Sequence, residues 1–108
     1  MSHELPEVDP RDVGDDVLLD VREDDEWAAG RAPGALHVPM SEITARVGEL
    51  PAGRRIAVVC HLGGRSARVT AWLRAQGVDA RNVTGGMAAW GRAGLPLEAE
   101  PGAVPRVD

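Results

Sequence analysis

The sequence has no lysine, phenylalanine or tyrosine, and only one cysteine in 108 residues. That cysteine, Cys60, excludes an intramolecular disulfide and any two-cysteine redox cycle within the chain. Without Phe or Tyr, the core must rest on Val, Leu, Ile and Ala, with Trp27, Trp72 and Trp90 as the only large rings. No apolar run approaches the roughly 18 residues that span a bilayer. The opening M-S-H-E-L-P-E-V-D-P has neither the positive nor the apolar region of a secretory signal. A cytoplasmic protein with no membrane partner is therefore expected. Basic charge is also scarce: the formal net charge is −5 and the pI about 5.1, so a nucleic-acid partner is not expected. All twelve basic residues are arginine, a compositional bias that says little about function.

What is present is ordinary for a folded domain. With 44% hydrophobic and 27% charged residues, the chain fits one compact soluble domain over residues 1–108. Its core is expected over about 5–98, and the Pro-rich tail, 99–108, is expected to be extended or frayed. A short strand is expected around Glu7–Val8, with a turn at Asp9-Pro10. Val17 to Val21 is an apolar, β-branched run, the pattern of a strand buried on both faces. E-D-D-E-W-A-A-G follows, with acids in a helix's first turn and Gly30 as its stop.

Ala35 to Val38 reads as a short strand closed by Pro39, and Ser41 as the N-cap of a helix through Leu50 with Ile43, Val47 and Leu50 on one face. Ile56 to Cys60 is the clearest buried strand. His61-Leu62-Gly63-Gly64 forms a loop, and Arg65 to Gln76 a helix capped by Gly77. Ala80 to Thr84 gives a last strand, Gly85-Gly86 a turn, and Met87 to Arg92 a short helix. Alternating strands and helices with short connections imply an α/β fold with a mainly parallel sheet.

Cys60 closes the most buried strand and precedes a glycine-containing loop that runs straight into a helix. Ligands of open α/β sheets bind beyond the carboxyl ends of the strands, where helix N-termini direct free N–H groups outward. The two glycines let successive N–H groups converge on one point, a cradle for an anion or a thiolate. A helix N-terminus and a nearby guanidinium, here Arg65, both lower a thiol's pKa. Against this, a lone cysteine at a strand end is commonly an inert small hydrophobe. The Gly-Gly-Arg-Ser sequel favours the reactive reading.

Three separated stretches, L-L-D-V-R-E-D-D-E-W-A-A-G-R-A-P-G-A-L-H-V-P, V-V-C-H-L-G-G-R-S-A and N-V-T-G-G-M-A-A-W, together resemble the rhodanese-like, single-domain sulfurtransferases. The resemblance covers about residues 5 to 98 and implies a three-layer α/β domain with a central, mainly parallel five-stranded sheet flanked by helices. It implies that Cys60 is the nucleophile that becomes a persulfide. The loop and first-turn residues His61, Leu62, Gly63, Gly64, Arg65 and Ser66 would bind the substrate, with the donor's anionic group against Arg65 and His61. No metal and no organic cofactor is implied. The implied partners are a small anionic sulfur donor such as thiosulfate, a thiol or cyanide acceptor, and a sulfur-relay protein.

Asp20-Val21-Arg22 matches the family's D-V-R, and with Glu26 nearby these charges are expected to tie strand to helix rather than to act in catalysis. Gly85-Gly86-Met87 and Trp90 match a closing G-G-x-x-x-W, and the three tryptophans are expected in the core. The sequence departs from the family where Arg31 replaces a frequent His and His37 a frequent Asn.

Two other readings compete. Phosphatases and arsenate reductases of the same fold place five residues between Cys and Arg, whereas four lie between Cys60 and Arg65 here, and Val59 stands where those phosphatases usually carry His. A regulatory module that has lost activity would typically lack the cysteine or its loop.

Overall fold

The computed structural model describes residues 5–107. Five strands, β1 (Glu7–Val8), β2 (Val17–Asp20), β3 (Leu36–His37), β4 (Ile56–Val59) and β5 (Ala80–Val83), form one sheet in the order β1-β5-β4-β2-β3. Every pairing is parallel. Four helices flank it: α1 (Asp24–Ala29), α2 (Ile43–Arg46), α3 (Gly64–Ala75) and α4 (Gly86–Arg92).

Strand periodicity divides the core in two. Ile56 and Val58 of β4 face one cluster with Leu19, Ile43, Val69 and Leu73, while Ala57 and Val59 face the other with Leu18, Val83 and Met87. Because β4 lies between β2 and β5 with both faces covered, all four of its residues are buried. Cys60 keeps the phase of Ile56 and Val58 and so points to the face that α3 covers.

Two expectations are corrected. The segment expected as a helix from Ser41 to Leu50 is a composite of a 3-10 turn (Met40–Glu42), α2, and a second 3-10 turn (Val47–Glu49). Ser41 lies inside the first turn and caps nothing, because the Met40 N–H is already bound to the Val21 carbonyl (3.0 Å) and Pro39 takes the cap position. Gly48, a weak helix former, lies in the second turn. The face survives the change: Ile43, Val47 and Leu50 all pack on the first cluster.

The tryptophans are half-buried rather than central. Trp72 and Trp90 border the two clusters. Trp27 belongs to neither; its ring stacks on His37 (centroids 4.6 Å, 6° between planes), with the Arg31 guanidinium 5.0 Å from its centroid. The two departures from the family pattern therefore meet on one ring, where cation–π and stacking contacts hold it.

Of the two forms expected for the segment after α4, the structure shows the extended one, docked along its length. The Glu98 N–H donates to the Arg31 carbonyl (2.8 Å), the Arg106 N–H to the Ala29 carbonyl (2.7 Å), and Leu97 and Val107 pack on the second cluster.

Candidate active site

Cys60 follows β4 directly and is 1% exposed. The chain then turns through His61, Leu62 and Gly63 into α3. Gly63 has φ +117°, a conformation that side chains with a Cβ resist, and it directs the loop's N–H groups back towards the sulfur. The Gly63 N–H donates to Sγ (3.1 Å), and the Ser66 hydroxyl, in the first turn of α3 and fully buried, donates to it as well (3.2 Å).

Neighbouring elements fix this loop. The Cys60 and His61 carbonyls accept from the Met87 and Ala88 N–H groups (2.8 and 3.0 Å). The approach is so close that a Cβ on Gly86, which has φ +60°, would collide with both carbonyls. On the other side, Asn82 Nδ2 of β5 donates to the Gly63 carbonyl (3.2 Å) and to Glu7 (3.1 Å). Asn82 was not singled out from the sequence, because its contact with the loop exists only once β5 lies beside β4.

Burial pushes the Cys60 thiol up. Hydrogen bonds from the Ser66 hydroxyl, and then from the N–H groups of Ser66, Gly63 and Leu62, outweigh it, leaving the thiol below its ordinary value. The thiolate is thus stabilised by neutral donors at the start of α3. Sequence reasoning counted the backbone of Ser66 but missed its side chain. The available signal was its place in the helix's first turn, three residues after the loop's positive-φ glycine.

Arg65 stands at the end of the loop, but its guanidinium is engaged. Nη1 and Nη2 donate to the two carboxylate oxygens of Glu26 on α1 (2.7 and 2.9 Å). The Arg65 guanidinium, with the Glu23 N–H, holds the Glu26 carboxyl down at about 2 despite partial burial. The sequence reading had placed Glu26 in the Asp20–Arg22 group. That pair closes without its carboxylate: Arg22 donates to both Asp20 oxygens (2.8 to 3.1 Å) and to the Gly30 carbonyl (2.7 Å), all buried, and reaches the half-buried Glu26 carbonyl (3.2 Å). It ties the end of β2 to α1, and His37 Nε2 meets the Arg22 carbonyl at 2.8 Å.

Of the remaining loop residues, His61 is half-buried, Gly64 is exposed, and Leu62 is 68% exposed. Among the described residues no cluster of His, Cys, Asp and Glu is arranged to hold a metal ion, and no helix is long and apolar enough to cross a membrane. What the site can do chemically is present a stabilised sulfur nucleophile inside a ring of N–H and O–H donors.

Comparison with known proteins finds relatives in sequence and in fold. Over 92 residues the chain is 40% identical to a sulfurtransferase of Allochromatium vinosum, covering 84% of this chain and 86% of that one. It is 36% identical over 90 residues to a thiosulfate sulfurtransferase of Actinobacillus succinogenes, covering 82% and 81%. A rhodanese-related protein of Thermoplasma volcanium superposes with a TM-score of 0.83 at 28% identity, over 88% of this chain and 99% of the other. A rhodanese-like domain protein of Staphylococcus aureus gives 0.80 at 34%, over 89% and 99%. With its parallel sheet, its cysteine loop at the end of β4, and a match to the rhodanese-like domain over residues 8–93, the chain belongs to the rhodanese-like domain family.

Proposed function

We propose that this protein is a sulfurtransferase that carries a sulfane sulfur on Cys60. The observation that carries the reading is the buried Sγ, within 3.2 Å of two converging donors, the Gly63 N–H and the Ser66 hydroxyl. Such donors stabilise the thiolate that must attack, and again stabilise it when it leaves.

In the first step the Cys60 thiolate attacks the outer sulfur of a donor such as thiosulfate. A Cys60 S–S bond forms, the donor's S–S bond breaks, and its electron pair leaves with sulfite. In the second step cyanide or a thiolate attacks the outer sulfur of the persulfide. The new bond forms to the acceptor, giving thiocyanate or an organic persulfide, and the Cys60 thiolate returns with the electron pair of the broken bond. The loop N–H groups from His61 to Ser66 hold the sulfur, and the donor's anionic end lies against Arg65, kept at the loop's end by Glu26, and His61.

The four-residue spacing between Cys60 and Arg65 supports sulfur over phosphate chemistry. Transfer to a protein thiol is supported by 36% identity over 74 residues to a putative sulfur carrier protein of Bacillus subtilis, of which the match covers 40%.

Intact-protein mass spectrometry after incubation with thiosulfate tests the proposal. One added sulfur atom is expected on the native protein, none on Cys60→Ser, and cyanide is expected to remove it. A folded, reduced protein that gains no sulfur from either thiosulfate or polysulfide refutes it.

A further inference from the structure

Gly63 is held from both ends. Its N–H donates to Cys60 Sγ (3.1 Å), while its carbonyl accepts from the Ala67 N–H of α3 (3.1 Å) and from Asn82 Nδ2 (3.2 Å). Between those ends lies the φ of +117°. A Cβ here would meet Gly85 N and Asn82 Nδ2 only at ordinary contact distances, 3.7 and 3.8 Å, so glycine is required for conformation and not for space. The most flexible residue type thus carries a donor to the sulfur, and the direction of that donor depends on what anchors the carbonyl.

Asn82 supplies an anchor from β5. Ala80, two residues before it on the strand, packs in the first core cluster, so Asn82 faces the side of the sheet to which Cys60 points. Its backbone is held on both sides, because β5 lies between β1 and β4 and Asn82 pairs with Glu7 and Val58.

The direction of the amide is set by its neighbours. Nδ2 meets the Glu7 carboxylate (3.1 Å) as well as the Gly63 carbonyl, and the second Glu7 oxygen accepts from the Thr84 hydroxyl (2.9 Å). Both groups facing that end of the amide are acceptors, so the end is the NH2 group. Turning the amide over would set its oxygen against a carboxylate and a carbonyl. The direction it has leaves Oδ1 buried with no hydrogen-bond partner, the one such side-chain atom among the described residues. An unpaired buried acceptor costs stability, and asparagine is a poor strand former. Both disadvantages coincide at the residue whose side chain bonds the Cys60 loop.

We infer that Asn82 is a positioning residue for the Cys60 thiolate: its amide, oriented by Glu7, anchors the Gly63 carbonyl and so keeps the Gly63 N–H on Sγ. The inference rests on the reading of Cys60 as the sulfur carrier. Because Asn82 acts through Gly63, its effect is read in the acidity of the thiol.

The test is the pH profile of Cys60 alkylation by iodoacetamide in the full chain and in two variants, Asn82→Leu and Asn82→Ala. Leucine has the branching of asparagine with no donor and no unpaired acceptor, so its stability should stay close to native. Alanine removes the same donor without adding bulk. In both variants the thiolate-to-thiol ratio of Cys60 should fall about threefold, moving the alkylation midpoint up by about half a pH unit. A residue that serves packing alone would change stability and leave that midpoint in place. Ile56→Val, a core variant at the far end of β4, supplies the contrast: it should lower the urea midpoint and leave the alkylation midpoint unchanged. A midpoint within about 0.1 pH unit of native in either folded Asn82 variant, or an equal shift in Ile56→Val, overturns the inference. Failure of the sulfur-carrier reading shows separately, as a native protein that gains no sulfur from thiosulfate or polysulfide while its alkylation profile is still measurable.

Discussion

Ser66→Ala removes the first of the influences that lower the Cys60 thiol, while burial, which opposes it, stays in place. The hydroxyl lies 3.2 Å from Sγ and both residues are buried, so no water replaces it. A hydrogen bond to a charged acceptor contributes about 1.5 to 3 kcal/mol, and the diffuse charge of sulfur argues for the lower figure. About 1.4 kcal/mol is tenfold in an equilibrium, so the thiolate-to-thiol ratio of Cys60 should fall roughly tenfold. Greater intrinsic nucleophilicity of the more basic thiolate recovers part of this, and the observed rate near neutrality should fall only about threefold. Alkylation by iodoacetamide measured against pH reads both quantities. The midpoint should move to higher pH in the variant, with an equal or higher alkaline plateau. Linkage supplies a second readout. A thiol lowered in the folded state stabilises that state above the unfolded pKa, and the gain is lost as pH falls through the folded value. Ser66→Ala should therefore cost more stability at about pH 9.5 than at about pH 6. A folded variant whose alkylation midpoint is unchanged or lower would refute the assignment of thiolate stabilisation to this hydroxyl.

Glu26→Gln should remove a pH-dependent part of stability. The carboxyl is held at about 2 against an ordinary 4.5, so its contribution is present above 4.5 and lost as pH falls towards 2. Urea midpoints of the native and variant proteins should converge across that window, and a constant gap would show that the Glu26–Arg65 pair does not set it. Asp20→Ala leaves the Arg22 guanidinium buried without its counter-charge and should cost about 3 to 5 kcal/mol by chemical denaturation. A loss below about 1 kcal/mol would mean that the Gly30 and Glu26 carbonyls alone satisfy that guanidinium.

Much of the site follows from local pattern. The alternation along Ile56, Val58 and Cys60 already aims the sulfur at one face of a buried strand, and the glycines after it open the turn that starts α3. Gly77, with φ +86°, ends that helix as its sequence position implies. Asp20 and Arg22 are two residues apart at a strand end, so their pairing is also a local matter.

The rest depends on which elements the sheet order brings together. Glu26 and Arg65 are 39 residues apart, and nothing in either segment states that α1 and the start of α3 meet beyond the same strand ends. That meeting makes the guanidinium expected to face the donor's anionic group one half of an ion pair. Trp27 looks like a core residue by composition, yet it becomes a lateral stack because Arg31 and His37 reach its ring. The proline-rich segment carries no periodicity that announces docking; the Glu98 and Arg106 N–H bonds, with the gaps left by Gly30 and Gly91, seat it beside the second core cluster. The sequence by itself determined the five strands, the loop that carries Cys60 and the helix after it, because these depend on neighbours along the chain. Tertiary structure decided the partner of Arg65, the clamp from Asn82 and Gly86, and the docking of residues 106–107, because those contacts form only when segments distant in sequence lie side by side.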